Sequence, residues 1–566
     1  MRVGWSALLI SIGACGTGSE FPPVLGSTGD AGSRGIDASP VVPSFGPAVA
    51  PSDDPSTCEQ AAEWQSYVGC DFWPTVVANN VWSIFDFAVV VANAGTAPAV
   101  VTLTGGPAGD AGAGVNQSVT VPPNGLAKLY APWVPALKGP DADACGESSP
   151  LTASVVATGA AYHLVSSVPV TVYQFNALEY VGQGGPAGKD WSSCPGNQQC
   201  SDDGDPNYGS TIGCYSFTND SSLLLPSTAL TGNYRISGYP GETVAEPDGG
   251  TLPDMGAYVA ITGITAGTHV TVYVGPSGDI LADALGAVSK TPANGVLTLT
   301  LDAGDVAELV TDVGDNWDLS GSLITADQPI QVISGSPCEQ IPETAPACDH
   351  LEQTVFPAET LGKQYFVNIP SGPSGGPVGH VVRFYGNVDG TTLAYVPAMP
   401  SGCPTTLDAG QVVTCTGTVE SDFEVTGSNE FGVGTFMLGG SIVDPGRNGG
   451  LGDPSQSMVA SVEQYRTKYV FLAPDDYPVS LIDVIAPVGA DMVLDGKTVD
   501  FGVMTPIADG YEVWRIGLEG TSQGAHTLLA SAPVGVQVMG YGEYTSYQYP
   551  AGLNLKRIAP PPGPAQ

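Results

Sequence analysis

One pentapeptide of the sequence has the spacing of a serine-hydrolase nucleophile. Gly372-Pro-Ser-Gly-Gly376 satisfies G-x-S-x-G, in which the serine attacks an acyl group from a strained turn between a strand and a helix. Here Pro373 and Pro377 place the serine in a Gly/Pro stretch, and no helical pattern follows it. We therefore predict a loop at residues 371–377 and no catalysis by Ser374.

The five histidines have no spacing typical of a metal site or a catalytic triad. None belongs to an HExxH or HxH pattern, and they lie far apart in the chain, at His163, His269, His350, His380 and His526. Only His350 lies among carboxylates, in Cys348-Asp-His-Leu-Glu352. We expect this histidine in a loop held beside a disulfide bond, and we predict no catalytic residue in the chain.

A short acidic stretch is a weak candidate for a calcium site. Ser201-Asp-Asp-Gly-Asp-Pro-Asn207 brings Asp202, Asp203 and Asp205 close together, and carboxylate oxygens at this density bind Ca²⁺ in extracellular modules. The stretch lacks the full spacing of an EF-hand loop and its distal glutamate. We therefore expect a solvated turn, and we predict no cofactor for the protein.

The N-terminus has the form of a bacterial lipoprotein signal. Met1-Arg2 is followed by an apolar segment, Val3 to Ala14, which is too short to span a bilayer. The segment ends in Ile12-Gly-Ala-Cys15, which resembles a lipobox, so we predict a lipid anchor on Cys15. Gly16 follows in place of an aspartate that would retain the protein at the inner membrane, which favours the outer membrane or cell surface. The alternative is an ordinary signal peptide in which Cys15 is incidental.

The number of cysteines supports a lipid anchor on Cys15 and disulfide bonds among the other cysteines. The chain has 11 cysteines, and lipidation of Cys15 leaves an even set for disulfide bonds in an oxidising compartment. Their spacing predicts three local pairs, Cys58 with Cys70, Cys338 with Cys348, and Cys403 with Cys415. The other four allow three connectivities, and the sequence does not choose among them; they are Cys145, Cys194, Cys200 and Cys214.

The composition excludes one class of partner and indicates a folded protein. With 56 acidic and 16 basic residues, the net charge is −40, so the chain lacks the basic clusters that neutralise nucleic-acid phosphates. Hydrophobic residues make up 42% and charged residues only 13%, which is enough apolar material for a core. The 75 glycines and 49 prolines suit many short strands joined by tight turns.

An internal repeat predicts the domain organisation. Blocks in which a polar or proline position interrupts apolar alternation recur four times, beginning at Leu164, Leu323, Phe423 and Leu528. We expect each block to turn at that position and run back as a hairpin. The spacing near 100 residues predicts an all-β fold with a tandem array of about four disulfide-stapled β-sandwich modules.

The predicted boundaries follow from these features. Residues 1–14 form the signal peptide and 15–57 a disordered tether rich in Gly, Pro and Ser. The modules cover residues 58–215 (with a Cys-rich loop at 190–214), 216–350, 351–460 and 461–555, and a disordered tail covers 556–566.

Several segments are similar to a known family. Gln328–Cys338, Ala347–Gln353, Leu361–Val367, Phe87–Asn93 and Tyr544–Gly552 resemble the IgGFc-binding protein N-terminal domain family, and the likeness extends over roughly residues 58 to 555. The resemblance implies an extracellular, all-β, non-catalytic module. It defines no binding residues that carry over to this sequence, and fold-level likeness does not specify a ligand.

The sequence therefore favours an exported surface lipoprotein that binds or adheres to an extracellular protein or glycan. The alternatives are a structural envelope or coat component without a discrete ligand, and a carbohydrate-active or hydrolytic surface protein. The tryptophans bear on the glycan option, because a stacking platform would need exposed rings, whereas a tryptophan in a β-sandwich usually lies in the core or covers a disulfide. An exposed apolar patch would indicate binding.

Overall fold

The computed structural model describes residues 54–93, 95–106, 114–146, 149–199, 211–243, 254–345, 347–446, 450–508, 510–518 and 524–563. All of these belong to one compact unit, Gly46–Gln566. Several predicted features lie outside the described residues, namely the signal peptide, the anchor Cys15, most of the tether, Cys200, and the calcium candidates Asp202, Asp203 and Asp205.

Strands dominate the described residues and follow one another in four groups. The first group is β1 (Gly69–Phe72), β2 (Phe87–Ala92), β3 (Ala99–Gly105), β4 (Val115–Val121), β5 (Leu126–Ala131), β6 (Val155–Ala157), β7 (Tyr162–Asn176) and β8 (Asp220–Leu224). The second is β9 (Thr231–Arg235), β10 (Tyr258–Gly263), β11 (Thr268–Tyr273), β12 (Val296–Leu301), β13 (Val306–Val310), β14 (Leu323–Glu339) and β15 (Asp349–Thr354).

The second half of the chain repeats this order. The third group is β16 (Gln364–Val367), β17 (Val381–Gly386), β18 (Thr391–Val396), β19 (Thr406–Leu407), β20 (Val412–Thr414), β21 (Phe423–Gly427), β22 (Phe431–Phe436) and β23 (Gln456–Met458). The fourth is β24 (Arg466–Leu472), β25 (Val479–Pro487), β26 (Met492–Leu494), β27 (Lys497–Thr498), β28 (Val503–Pro506), β29 (Tyr511–Gly517), β30 (Ala525–Gly542) and β31 (Thr545–Pro550).

The described helices are short. They are α1 (Cys58–Trp64), α2 (Pro135–Lys138) and α3 (Gly440–Val443), together with 3₁₀ turns at Pro195–Asn197, Ala358–Thr360 and Val462–Gln464. In the part of the chain that the structure describes, no helix has the length and apolar character needed to cross a membrane.

The four groups share one pattern of strand pairing, and each is a module, except that β6 of the first group pairs with β13 and so belongs to the sheet of the second module. In the first module, β7 pairs with β1 and β3 through its first half and with β2 and β8 through its second half. In the second, β14 pairs in the same way with β9 and β11 and then with β10 and β15. In the fourth, β30 pairs with β24 and β26 and then with β25 and β31.

The third module has the same pairing with one interruption. Here β21 pairs with β16 and β18, while β22 pairs with β17 and β23. Residues 428–430 separate these two strands, which together occupy the place of the long strand in the other modules. The predicted all-β architecture with repeated modules is therefore confirmed.

The repeated proline blocks bend long strands and do not form the predicted hairpins. Pro169, Pro329 and Pro533 lie inside β7, β14 and β30. Proline has no backbone N–H to donate, so a strand leaves its first ladder there and continues into a second one. Around Pro329, for example, β14 pairs with β11 up to Ala326 and with β10 from Ile330 onward. The hairpin prediction is wrong at these three blocks.

The last strand of each module lies at the centre of the assembly. We call β8, β15, β23 and β31 the closing strands. β8 contacts β15 and β31, and β23 contacts the same two strands, so the four strands meet in a closed cycle. Their residues are all buried. In this pairing β8 completes the first module, whereas the predicted boundary at residues 215/216 lies before that strand. Likewise β15 completes the second module, whereas the predicted boundary at residues 350/351 lies inside it.

Each module also has an apolar core between its two sheets. Val89 and Leu164 belong to the core of the first module, and Val259 to that of the second. The core of the fourth module continues into the first, where the rings of Tyr173 and Tyr549 lie 4.8 Å apart. Apolar packing between sheets thus stabilises each module, and part of it also joins two modules.

Four disulfide bonds close local loops in the described residues. Three have the predicted partners, Cys58–Cys70, Cys338–Cys348 and Cys403–Cys415. Cys194 pairs with Cys214, which the sequence left open. Bonds of this kind form in an oxidising compartment, which is consistent with an extracellular protein.

Both described ends of the chain pack against the modules. In the predicted tether, the Asp54 carboxylate accepts a hydrogen bond from Arg466 and forms an ion pair with Lys468 at 3.0 Å. In the predicted tail, the N–H groups of Ile558 and Ala559 donate to the carbonyl of Glu359 at 2.8 and 3.0 Å. Residues 556–563 therefore differ from the expected disorder, because their backbone groups have partners on the modules.

Candidate functional site

Ser374 lies in an exposed turn, as its glycine and proline neighbours predict. The N–H of Gly375 donates to the carbonyl of Gly372 at 2.8 Å and closes the turn around the serine. The next regular element is β17, a strand, whereas a nucleophile elbow leads into a helix that supports the oxyanion hole. The surroundings of Ser374 therefore do not have the geometry of a hydrolase nucleophile.

His350 belongs to closing strand β15, which corrects the prediction that it lies in a loop. The Cys338–Cys348 bond ends just before this strand, and pairing with β14 extends the chain there. The imidazole is buried, with Nε2 2.8 Å from the Tyr258 hydroxyl and Nδ1 3.2 Å from the Asn79 amide nitrogen. Burial lowers the pKa of His350 to about 3, so the ring stays neutral and serves as a structural hydrogen-bond partner.

Buried carboxylates at the centre join different modules. Asp220 of β8 accepts hydrogen bonds from the N–H of Glu352 at 2.9 Å, the hydroxyl of Ser455 at 2.9 Å and the N–H of Gln456 at 3.3 Å. Glu352 belongs to β15 and Gln456 to β23, so this one side chain connects closing strands of three modules. Burial raises the pKa of the Asp220 carboxyl well above its usual value, and the hydrogen bonds oppose this shift.

Asp349 makes the equivalent connection to the fourth module. It accepts from the N–H of Asn219 at 2.6 Å and from the hydroxyl of Thr545 at 2.9 Å. Burial, together with the nearby carboxyls of Asp453 and Asp220, raises the pKa of Asp349. The acidic and amide residues of the closing strands therefore hold the modules together, and this centre is structural.

The described part of the chain shows no cluster of metal ligands. Within those ranges, no three His, Cys, Asp or Glu side chains are grouped as metal ligands. Trp82 is buried in the cluster that contains Cys194, as expected for a tryptophan that covers a disulfide, whereas Trp64 is 44% exposed. Trp73 stacks on His163 with ring centroids 4.3 Å apart.

The best candidate for an interaction site is an exposed strand edge in the fourth module. β28 pairs with β29 on one side only, with Val503 opposite Arg515 and Met504 opposite Trp514. Its apolar side chains are open to solvent, since Val503 is 53% exposed and Met504 45%. A free strand edge of this kind presents unpaired backbone N–H and C=O groups to another chain.

The residue before β28 adds to the same surface. Phe501 is 40% exposed, and Gly502 brings the chain close to the carbonyl of Arg515, which a side chain at that position would contact at 2.6 Å. We call Phe501–Pro506 the edge segment. In the second module β6 has the equivalent terminal position, since it pairs with β13 alone, but its residues are half-buried. Sequence reasoning missed the edge segment, although its apolar run ending in proline is typical of an edge strand.

Comparison with known proteins places the chain in a family. The sequence profile of the IgGFc binding protein family matches residues 220–540, which is more than half of the chain. The chain belongs to the IgGFc-binding protein family. The match begins at the first residue of β8 and ends within β30, so it includes the carboxylates Asp220 and Asp349 of the centre.

A human relative carries the same family name. The chain is 26% identical to IgGFc-binding protein from Homo sapiens over 345 residues, which is 61% of this chain but 6% of the relative's length. A solved structure of a tetra-tandem repeat in the extending region of a large adhesion protein is 13% identical and covers 85% of this chain and 98% of that one. Its TM-score of 0.09 carries no argument about fold. The family and the human relative are both named for binding of IgGFc, and this chain spans only a small part of that relative's length.

Proposed function

We propose that this protein is a non-catalytic, exported surface lipoprotein that binds an extracellular protein through the edge segment of its fourth module. The single observation that carries the proposal is the free, apolar edge of β28. Membership of a family named for binding and the disulfide bonds of an extracellular protein support it.

Strand addition is the binding mode that this edge favours. An extended segment of a partner would pair with the unpaired backbone groups of β28, and its apolar side chains would pack beside Val503 on one face of the sheet or beside Met504 on the other, since successive side chains of a strand point to opposite faces. The backbone bonds supply affinity, while the alternating side chains supply specificity. The partner is therefore an extended segment with apolar residues at alternate positions.

The charge of the chain favours a basic partner segment. The net charge is −40, and Asp500 lies exposed directly before the edge segment. Opposite charge on a partner accelerates its encounter with this surface, whereas a second copy of the same acidic chain is repelled. We therefore expect lysine or arginine at the alternating positions that point to solvent.

Binding of two defined peptides tests the proposal. We expect the full chain to bind an extended peptide of alternating valine and lysine more tightly than the matching valine and glutamate peptide, measured by isothermal titration calorimetry. The Val503→Lys/Met504→Lys variant should weaken binding by at least about tenfold, because charge on the edge strand blocks pairing. Val100→Lys, which replaces an exposed valine of the first module, is the matched control and should bind normally.

Other outcomes of this experiment would contradict the proposal. Equal binding of the two peptides would remove the charge argument, and full binding by the edge variant would place the site elsewhere. Self-association that disappears in the edge variant would support the structural coat alternative, and sedimentation of the free chain measures it directly.

The membrane anchor has a separate test. We propose that lipidation of Cys15, which lies outside the described residues, holds the protein at the outer membrane or cell surface. Cys15→Ser should move the protein from the membrane fraction to the soluble fraction on cell fractionation. Retention of the variant in the membrane would overturn the anchor assignment without affecting the edge segment.

A further inference from the structure

A cavity between the second and third modules contains a buried positive charge. The cavity has a volume of about 430 Å³, which lies within the range of small-molecule sites. Arg235, at the end of β9, is one of the residues that line it and is only 3% exposed. Turns after β11 and between β19 and β20 form the walls, and they meet where Gly321 approaches the carbonyl of Gly410.

The Arg235 guanidinium has hydrogen-bond partners but no ion-paired carboxylate among the described residues. Nη1 donates to the carbonyl of Gly321 at 2.9 Å and Nη2 to the carbonyl of Gly563 at 3.3 Å. Nε is buried without a partner. Carbonyl oxygens satisfy N–H groups without neutralising the charge, and among the described residues no carboxylate forms an ion pair with Arg235.

Among the described residues, the other buried arginines, Arg383, Arg466 and Arg515, each have a carboxylate partner. Arg383 pairs with Asp318 at 2.6 Å and Arg515 with Asp422 at 2.8 Å. Burial lowers the pKa of Arg235 to about 10, and the charge of Asp389 opposes this shift, so the guanidinium stays charged at neutral pH. The Asp389 carboxylate accepts a hydrogen bond from the N–H of Ala409 at 2.9 Å. Burial of a charge without an ion-pair partner is unfavourable, and a bound anion would supply that partner.

The mouth of the cavity carries groups suited to hydroxyl-rich ligands. Asn294 and Gln411 contribute exposed amide groups from two different turns. The half-buried Tyr273 contributes an aromatic ring and a hydroxyl group. The Asp408 carboxylate also lines the cavity and can accept hydrogen bonds from hydroxyl groups. The planar fork of arginine matches a carboxylate best.

We propose that this cavity binds an acidic saccharide, with the carboxylate of the sugar on Arg235 and its hydroxyl groups on the amides at the mouth. This site is separate from the edge segment and adds a glycan ligand to a protein-binding surface. The carboxylate supplies the missing counter-charge, and Tyr273 packs against the apolar face of the sugar ring.

Calorimetric titration with digalacturonate tests the proposal on the full chain. We expect saturable binding by the unmodified protein and at least about tenfold weaker binding of the methyl ester, which keeps the shape but removes the charge. Sodium acetate at the same carboxylate concentration should bind far more weakly, because it lacks the hydroxyl groups. Equal binding of acetate would show a simple anion site, and equal binding of the ester would exclude a role for the charge; either result overturns the proposal.

Variants locate the ligand. Arg235→Met should lose digalacturonate binding by at least about tenfold, while Arg557→Met, whose arginine donates to the carbonyl of Leu230, is the matched control and should bind normally. Normal digalacturonate binding by Arg235→Met overturns the proposal. If that variant fails to fold, the Asn294→Ala/Gln411→Ala variant replaces it in the titration, since both residues are exposed. Unchanged affinity of this variant for digalacturonate also overturns the proposal. Edge-segment variants should bind digalacturonate normally, so this proposal and the proposed function fail separately.

Discussion

Two regions of the molecule differ in which side chains they bury and which they expose to solvent. In the closing strands, carboxylates such as Asp220 and Asp349 are fully buried and accept hydrogen bonds from other modules. In the edge segment, the side chains Val503 and Met504 are apolar and lie open to solvent. A usual β-sandwich has the reverse arrangement, with apolar residues inside and polar residues outside.

The difference shows which surfaces are already occupied. Polar groups can be buried at the centre because strands of neighbouring modules supply partners for them. Apolar groups remain exposed at β28 because no strand of the described residues pairs with its second edge, whereas the residues of β6, at the equivalent position of the second module, are half-buried. The centre is thus an internal interface, and the edge segment has the character of an interface without its partner.

Asp220→Ala should have the largest effect on this comparison. We expect a loss of about 4 kcal/mol in the free energy of unfolding, because each buried donor left without an acceptor costs about 1–3 kcal/mol. Urea unfolding followed by tryptophan fluorescence measures the change. Asp283→Ala is the control, since its carboxyl lies at the surface and its loss leaves the centre intact. A change below about 1 kcal/mol would show that the centre does not hold the modules together.

Raising the pH should weaken the centre without affecting the edge segment. Burial raises the pKa of Glu352 to about 7 and that of Asp453 to about 8, whereas carboxyls in the unfolded chain titrate near about 4. The stabilisation that these groups contribute is therefore fully present below about pH 4 and is lost as the pH rises through about 7 to 8.

Thermal unfolding between about pH 5 and 9 checks this dependence. The melting temperature should fall across the range, and Glu352→Gln should flatten the part of the fall near pH 7, because the amide does not ionise. A melting temperature that rises with pH in both proteins would contradict the assignment of raised pKa values.

Removal of one disulfide bond should have a smaller and local effect. Cys403→Ser/Cys415→Ser opens a loop with a sequence separation of 12, for which we expect a loss of about 3 kcal/mol in the free energy of unfolding. Limited proteolysis should then cut within the third module before the others, because the bond lies in the core of that module. Simultaneous cleavage of all modules would mean that the bond supports the centre as well.

The smallest effect on stability is expected at the edge segment. Val503→Lys/Met504→Lys should change the free energy of unfolding by no more than about 0.5 kcal/mol, since exposed side chains contribute little to the folded state. The same variant should lose peptide binding, as described above. A large loss of stability in urea unfolding would instead mean that the edge is part of the fold.

The sequence predicted the fold class and the repeat, because strand patterns and proline blocks are local signals. Alternating apolar residues mark β7, β14 and β30, and the spacing of Cys338 and Cys348 marks a local bond. It did not predict that Pro329 bends a continuous strand, since a proline between two apolar runs also fits a hairpin turn. Nor did it place His350 in a strand, because the charged neighbours of that histidine are typical of a loop.

The site was predicted less well than the fold. Arg235 is one arginine among the 16 basic residues, and nothing in its neighbourhood in the sequence marks it as buried beside a cavity. The walls of that cavity come from turns far apart in the chain, near residues 275, 295 and 410. Such a combination depends on how modules pack against each other, which no local pattern encodes.

The sequence by itself determined that this chain is an acidic, disulfide-bonded, all-β protein of four repeated modules. These properties depend on composition, on cysteine spacing and on patterns within about 100 residues, which one module contains. Only the tertiary structure decided that the closing strands share one polar centre, that β28 has a free edge, and that Arg235 lies beside a cavity without an ion-paired carboxylate among the described residues. Burial and pairing between distant segments decide those features, because a polar or apolar side chain acquires its role only from the neighbours that the fold gives it.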